Sequence, residues 1–321
     1  MKDEKIGALV ASVEKQFGRG TIRELGSEPQ PPQHGVISTG SLALNHALGV
    51  GGIPKGVVTE IHGGTPAVAL AVQLVSESQR AGGVVAYIDA NHRLDLEYAK
   101  AVGVSTDRLL VSQPDNGEQA FDIADVLARS GAVDLIVVDS ADVLAPKSAL
   151  EGNIFGDDVD GERARLFSKG LVRLTGVAYR TGVAIVFLRS DDRPLPAALG
   201  AIKFYSSVRM QLSVERDVVV DEKVIGTRVA VRISKNKFAP PFQQAHFEVR
   251  NDGIDKASDL LEFAIGQGVV SLSGSPVQLR SDFTLGDEHI GKGWARARER
   301  LMTDAAMADR IRAALAAKGG R

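Results

Sequence analysis

The sequence predicts an α/β fold with a mostly parallel central sheet, an N-terminal helical arm and a small α+β C-terminal domain. Three observations predict it. From Val36 to about Val249, short runs rich in β-branched residues alternate with amphipathic helical stretches, the pattern of strands covered by helices on both faces. The last strands of that region follow one another without helices between them, which predicts an antiparallel extension of the sheet. After Asp252 the pattern changes again, to short helices and turns. The predicted division is residues 1–35 for arm and linker, 36–252 for the core and 253–321 for the C-terminal domain.

Each element has its own signal. Over residues 3–17, Ile6, Leu9, Val10, Val13 and Phe17 fall at helical spacing, and Gly18 closes the helix. Residues 26–34, rich in Pro, Glu and Gln, read as a linker. A helix on a tether either docks on a neighbouring subunit or packs on its own domain, and both readings stand. Residues 57–62, 83–89, 109–112, 135–139 and 184–188 are the predicted strands of the parallel sheet, with helices over 67–81 and 117–129 among the connections. Residues 208–215, 227–235 and 245–250 are the predicted antiparallel strands. A long Ala-rich helix is expected over 305–317.

Composition narrows the function classes. The chain has 321 residues, 44% hydrophobic and 24% charged, and is too long for one small core. It has no cysteine, which excludes disulfides and cysteine-based zinc sites and suits a reducing cytoplasm. No stretch approaches the roughly 20 apolar residues of a membrane span. The charged N-terminus lacks the apolar centre of a signal peptide, so a cytoplasmic protein without a membrane partner is expected. A formal net charge of −2 gives no global attraction to nucleic acid; DNA binding would have to come from local basic surfaces.

Several stretches carry more than pattern. ISTGSLALNHALGVGGIPKG at 37–56, SQPDNGEQAFDIADVLARSGAVDLIVVDS at 112–140 and KNKFAPPFQQAHFEV at 235–249 closely resemble bacterial RecA recombinases. KQFGRGTI at 15–22 and IKFYSSVR at 202–209 are similar to the same family, so the resemblance runs nearly end to end. It implies a RecA-like P-loop NTPase core that binds ATP between adjacent subunits of a filament on single-stranded DNA, with two loops reaching the DNA. The family's P-loop, G-x-x-x-x-G-K-[ST], uses backbone N–H groups and a lysine for phosphates and a hydroxyl for Mg²⁺.

The departures from that pattern lie in the nucleotide site. The aligned stretch reads Gly63, Gly64, Thr65, Pro66, Ala67, Val68, about two residues short, with Ala67 at the lysine position and Val68 at the hydroxyl position. Pro66 also removes a backbone donor. Each charge-assisted hydrogen bond lost is worth roughly 1.5–3 kcal/mol, against about 8 kcal/mol for a micromolar ligand. Asn91 stands where the resemblance implies the catalytic Glu, and a missing general base costs about 10²–10⁴ in rate. Ser190 stands at the γ-phosphate-sensing Gln. Asp139 matches a metal-directing Asp or, with the P-loop broken, caps the next turn. Asp95 and Tyr98 match adenine contacts or hold the local fold. No catalytic residue is intact on this reading, no metal or cofactor is expected, and ATP with Mg²⁺ enters only if the protein is an active recombinase.

The resemblance also assigns surfaces. Lys203, Phe204, Lys235 and Lys237 match the family's subunit interface, although two alternating lysines on a strand are also an ordinary solvated face. The first DNA loop corresponds to residues 151–165, where Asp157, Asp158 and Asp160 make an acidic tip; Arg165 and Arg173 match or neighbour phosphate contacts, or pair with surface acids. The second, 190–199, is about nine residues shorter than in the family and stiffened by Pro194 and Pro196. Lys292, Arg296, Arg298 and Arg300 surround Trp294, which suits duplex DNA, or else forms a solvated helix face over a small core. The expectation is a RecA-like protein of DNA recombination, repair and the damage response, its hydrolysis lost, that contacts DNA (duplex rather than single-stranded) and RecA-type subunits. A translesion polymerase is a further possible partner. The two rivals are an active ATP-dependent recombinase and a scaffold that touches no DNA.

Overall fold

The computed structural model describes residues 2–19, 21–22, 34–151, 159–189, 199–273 and 281–319. Residues 1–35 and 36–321 form two separate units. In the first, α1 (Lys2–Phe17) carries Asp3 and Glu4 in its first turn and Lys15 in its last, complementing the helix dipole. Gly18, at φ +101°, ends it by donating its N–H to Glu14 O.

The second unit begins with β1 (Val36–Ile37) and β2 (Ile53–Pro54), which pair antiparallel on either side of α2 (Leu42–Ala47). Then come β3 (Val58–His62), α3 (Gly64–Arg80), β4 (Val85–Asp89), α4 (Leu96–Val102), β5 (Leu110–Ser112), α5 (Gly117–Arg129) and β6 (Leu135–Asp139). They are followed by α6 (Lys147–Glu151), α7 (Val159–Thr181), β7 (Ala184–Arg189), α8 (Gly200–Tyr205), β8 (Val208–Val220), β9 (Lys223–Asn236), β10 (Gln244–Arg250) and β11 (Gly253–Ile254). These strands make a nine-stranded sheet in the order β11-β10-β9-β8-β3-β7-β6-β4-β5. It is parallel from β8 to β5 and antiparallel from β8 outward to β11.

β4, β6 and β7 are apolar up to their last residues, Asp89, Asp139 and Arg189, because both sheet faces are buried. Val137 and Val186 enter one core with Ile61, Leu70 and Tyr87, while their neighbours Val138 and Phe187 enter the other with Phe121 and Phe167. The C-terminal segment has α9 (Lys256–Gly266), then β12 (Ser271–Ser273), β13 (Asp282–Leu285) and β14 (Glu288–Lys292) as a small antiparallel sheet, then α10 (Trp294–Thr303) and α11 (Ala305–Gly319). A third core, including Leu260, Phe283, Ile290, Leu301 and Ile311, fills it, and Trp294 packs edge-on to Phe283.

Three expectations change. The helix expected from residue 67 begins at Gly64, so the residues taken as a loop are its first turn. Residues 159–165, expected within the first DNA loop, already belong to α7. β8 and β9 continue to a tight turn at Asp221 and Glu222, because hairpin pairing carries them past the last alternating core residues. No described helix is long and apolar enough to cross a membrane.

Candidate functional site

The C-terminal ends of parallel strands are where an α/β sheet presents its chemistry. At the end of β3 a single residue, Gly63, separates the strand from α3. Gly63 (φ +144°) and Gly64 (φ +57°) occupy backbone conformations that favour glycine, and together they turn the chain into the helix at once. A Cβ on Gly63 would lie 2.3 Å from Leu212 O, and its N–H is already donated to Arg189 O (3.2 Å). Pro66 sits in the first turn, where a missing N–H costs the helix nothing but subtracts a free donor. Ala67 is fully buried in the core and Val68 packs against it. The junction thus offers no loop of donors and no lysine, and its one hydroxyl, on Thr65, lies exposed in the first turn while the aligned hydroxyl position is Val68; these residues do not fit a triphosphate with magnesium.

The second part of the site is Asp139, buried at the end of β6. Tyr87 donates its hydroxyl to Oδ2 (2.8 Å) and Asn91 donates Nδ2 to Oδ1 (2.9 Å). Asn91 Nδ2 also reaches Ser140 Oγ (3.1 Å), and its backbone N–H binds Asp139 O (3.1 Å). Both carboxylate oxygens are therefore occupied by neutral donors. Burial pushes the Asp139 carboxyl above its ordinary range; the Tyr87 and Asn91 hydrogen bonds oppose that, and the adjacent Asp89 adds to it. Burial, reinforced by Asp139, also drives the Tyr87 phenol far up. A Glu at position 91 would face Asp139 with another negative charge; the amide supplies a donor instead.

Asp95 is the N-cap of α4, accepting from the N–H groups of Glu97 and Tyr98 (2.9 Å each). Tyr98 is half-buried against the core, its hydroxyl buried without a hydrogen-bond partner among the described residues. Burial, with Asp252 nearby, pushes its phenol up to about 12. Both residues have structural work here, independent of any adenine. Ser190 and the rest of the second DNA loop as far as residue 198 lie outside the described residues, as do Asp157 and Asp158.

Sequence reading missed a buried charge network beside this site. Arg189, the last residue of β7, is 2% exposed, with Nη1 3.8 Å from Glu60 and Nε 3.4 Å from Asp142. Arg209 on β8 binds Glu60 with both Nε and Nη2. Arg163, on the first turns of α7, donates Nη2 to Ala141 O (2.9 Å). Arg163 Nε and two nitrogens of Arg189 are buried without hydrogen-bond partners among the described residues. The network ties β3, β7, β8, α7 and the turn after β6. Its only sequence signal is a charge inside an apolar strand, as in AIVFLR.

On the proposed subunit surface, Lys235 Nζ folds back onto the last turn of α8, donating to Lys203 O (2.9 Å) and Phe204 O (3.0 Å). Burial, with Lys237 and Arg209 nearby, lowers its pKa. Lys203 and Lys237 are exposed. So are Phe204 (71%), Phe242 (63%) and Phe238 (45%), a concentration of exposed aromatics unusual for a solvated face.

The basic residues differ in exposure and in the carboxylates they meet. Arg173 on α7 pairs with Asp122 (3.3 Å) and Asp125 (2.8 Å). Arg165 is exposed on the same helix. Arg298 binds Asp255 (2.6 Å), and Arg300 lies 3.5 Å from both Glu288 and Asp304. Lys292 and Arg296 are exposed. Trp294 belongs to the C-terminal core rather than to an open stacking surface.

With this geometry in view, a family model described as the RecA N-terminal domain matches residues 4–255. Among known proteins, Protein RecA 1 of Myxococcus xanthus is 42% identical over 312 residues, covering 94% of this chain and 89% of its own length. Protein RecA of Geobacter sulfurreducens is 40% identical, covering 91% and 88% respectively. Protein RecA of Psychrobacter arcticus is also 40% identical, covering 99% and 93%. The fold, the order of its elements and these similarities agree, and the chain belongs to the RecA family.

Proposed function

We propose that this chain is a RecA-type subunit of DNA recombination and repair that works without hydrolysing ATP, through contacts with RecA-type subunits and with DNA. The observation that carries the reading is the β3–α3 junction, where one glycine replaces the phosphate-binding loop and the lysine position is a buried alanine. Asn91 on Asp139 supports it from the opposite side of the site, since an amide cannot act as a base and each Asp139 oxygen already accepts a hydrogen bond within the fold. Ser190 belongs to the same reading by its place in the sequence. The subunit contacts would use Lys203, Phe204 and Lys237, with Lys235 shaping α8 from within. Duplex DNA would meet Lys292 and Arg296 before Arg298 or Arg300, because the latter two already serve carboxylates. A cytoplasmic location follows from the same reading, and a translesion polymerase is a candidate recipient of such a subunit.

The test is ATP turnover by purified protein with and without single-stranded DNA. No turnover above a heat-inactivated control is expected; turnover comparable to an active recombinase would overturn the reading. One observation favours the scaffold alternative: two of the four basic residues of the C-terminal cluster, Arg298 and Arg300, are paired internally. A salt titration of duplex binding separates the two, since each phosphate contact steepens the logarithmic salt slope by about 0.9 and a scaffold would show no binding to titrate.

A further inference from the structure

Away from the strand ends, a crevice of about 380 Å³ opens between the core and the C-terminal helices. Its core side is formed by α3, α4 and the connection from β10 to β11; its other side belongs to α9, α10 and α11. This volume is in the range of small-molecule sites. Five cations line it: Arg80 and Arg250 from the core side, Lys256, Arg298 and Arg312 from the other. Only Asp252 and Asp255 oppose them on the wall.

The cations share their carboxylates. Arg80 and Lys256 both reach one oxygen, Glu77 Oε1 (2.9 and 2.5 Å). Arg250 and Arg298 both reach Asp255 Oδ2 (2.8 and 2.6 Å). Glu248 takes a further contact from Arg250 (3.2 Å), and Asp309 pairs with Arg312 (2.7 Å). Formal charge is therefore close to balanced once the acids behind the wall are counted, but hydrogen-bond donors are in excess. A guanidinium carries five N–H donors, and among the described residues Arg298 commits only its Nε. Burial works against ionisation of Asp255, yet the hydrogen bond from Arg298 and the Ser258 N–H outweigh it and hold the carboxyl below its usual range. The shared carboxylate thus stays charged and keeps both guanidiniums at the crevice. Beside the charges, Val102, Leu301 and Met302 supply an apolar wall.

A group with several acceptor oxygens on one centre matches clustered, forked donors better than a lone carboxylate does. We propose that this crevice binds a small phosphate-bearing anion, held from the core by Arg80 and Arg250 and from the C-terminal helices by Lys256, Arg298 and Arg312. The ligand bridges the place where the chain leaves β10 through Gly253 (φ +101°), and so fixes the C-terminal helices on the core. The site is independent of the β3–α3 junction.

Calorimetric titration of the full chain with inorganic pyrophosphate and with AMP, at constant ionic strength, tests it. Submillimolar binding of either is expected, and comparison of the two tells whether the phosphate alone or an organic phosphate is preferred. Lys256→Gln with Arg312→Gln leaves Glu77 with Arg80 and preserves the fold, and should weaken binding about tenfold or more, the loss of one or two charge-assisted bonds. Arg298→Lys keeps a charge on Asp255 and should weaken it too. Absence of binding by the parent protein would overturn this site alone. AMP binding undiminished in both variants would place the nucleotide elsewhere, and would count against the reading of the β3–α3 junction as well.

Discussion

The nucleotide end of the sheet and the surface around α8 differ in how their polar and apolar groups are satisfied. At the nucleotide end, Asp139 has both oxygens engaged, Gly63 has donated its N–H and Ala67 lies in the core. Around α8 and the β9–β10 connection, three phenylalanines stand in solvent. In the first region the polar groups are largely engaged within the fold, whereas in the second exposed aromatic side chains are costly to leave uncovered. On the proposed reading, this difference puts the subunit and DNA contacts on surfaces and the loss of hydrolysis in the site.

The sharpest way to break that contrast is Ala67→Lys. If the junction still had the shape of a phosphate loop, the ammonium would reach solvent and restore nucleotide binding. Because Ala67 is fully buried, the substitution should instead destabilise the fold by about 3 kcal/mol or more, measurable by urea unfolding, with no gain in binding. Replacing residues 63–68 with a full-length phosphate loop is the variant that should restore it.

A smaller effect is expected from Asn91→Glu. A carboxylate beside Asp139 removes a donor and adds repulsion, costing about 1–3 kcal/mol at neutral pH. One of the two carboxyls would then titrate higher in the folded state than in the unfolded chain. Its contribution is present below the unfolded pKa and lost as pH rises, so the variant should lose more stability at pH 8 than at pH 5, about one to two kilocalories apart. Equal losses at both pH values would mean that position 91 does not face Asp139.

Asp139→Asn probes the same closure more gently. The Asp139 pKa is already raised by burial, so by the same sign its contribution to stability is full in acid and declines as pH rises through the folded pKa. Removing the charge should flatten that decline, seen as converging melting curves across pH. Phe204→Ala should change stability least, within about 0.5 kcal/mol, yet weaken association with RecA-type subunits in sedimentation. Unchanged association would remove α8 from the contact surface.

Much of the architecture was legible from residues alone. Continuous apolar runs such as LIVVD require a strand buried on both faces, and the alternation with helices requires parallel order. The N-cap at Asp95 and the helix end at Gly18 are likewise local chemistry. Ala67, Val68 and Asn91 are read directly from the chain, and the proposed loss of hydrolysis starts from the functional groups those side chains lack.

What the sequence could not determine depends on contacts between distant segments. That Gly63 and Gly64 make a direct strand-to-helix turn depends on Leu212 and Arg189 closing around them. That Arg298 and Arg300 are occupied depends on Asp255, Glu288 and Asp304, and in sequence they look as available as Lys292. The buried Arg189 is the clearest case: its guanidinium is tolerable only because β3 and the turn after β6 bring Glu60 and Asp142 to it. Local pattern fixes which residues form an element and which face is apolar. Which charges are spent and which remain is decided by tertiary structure, because pairing energies depend on distance and burial, and sequence separation encodes neither.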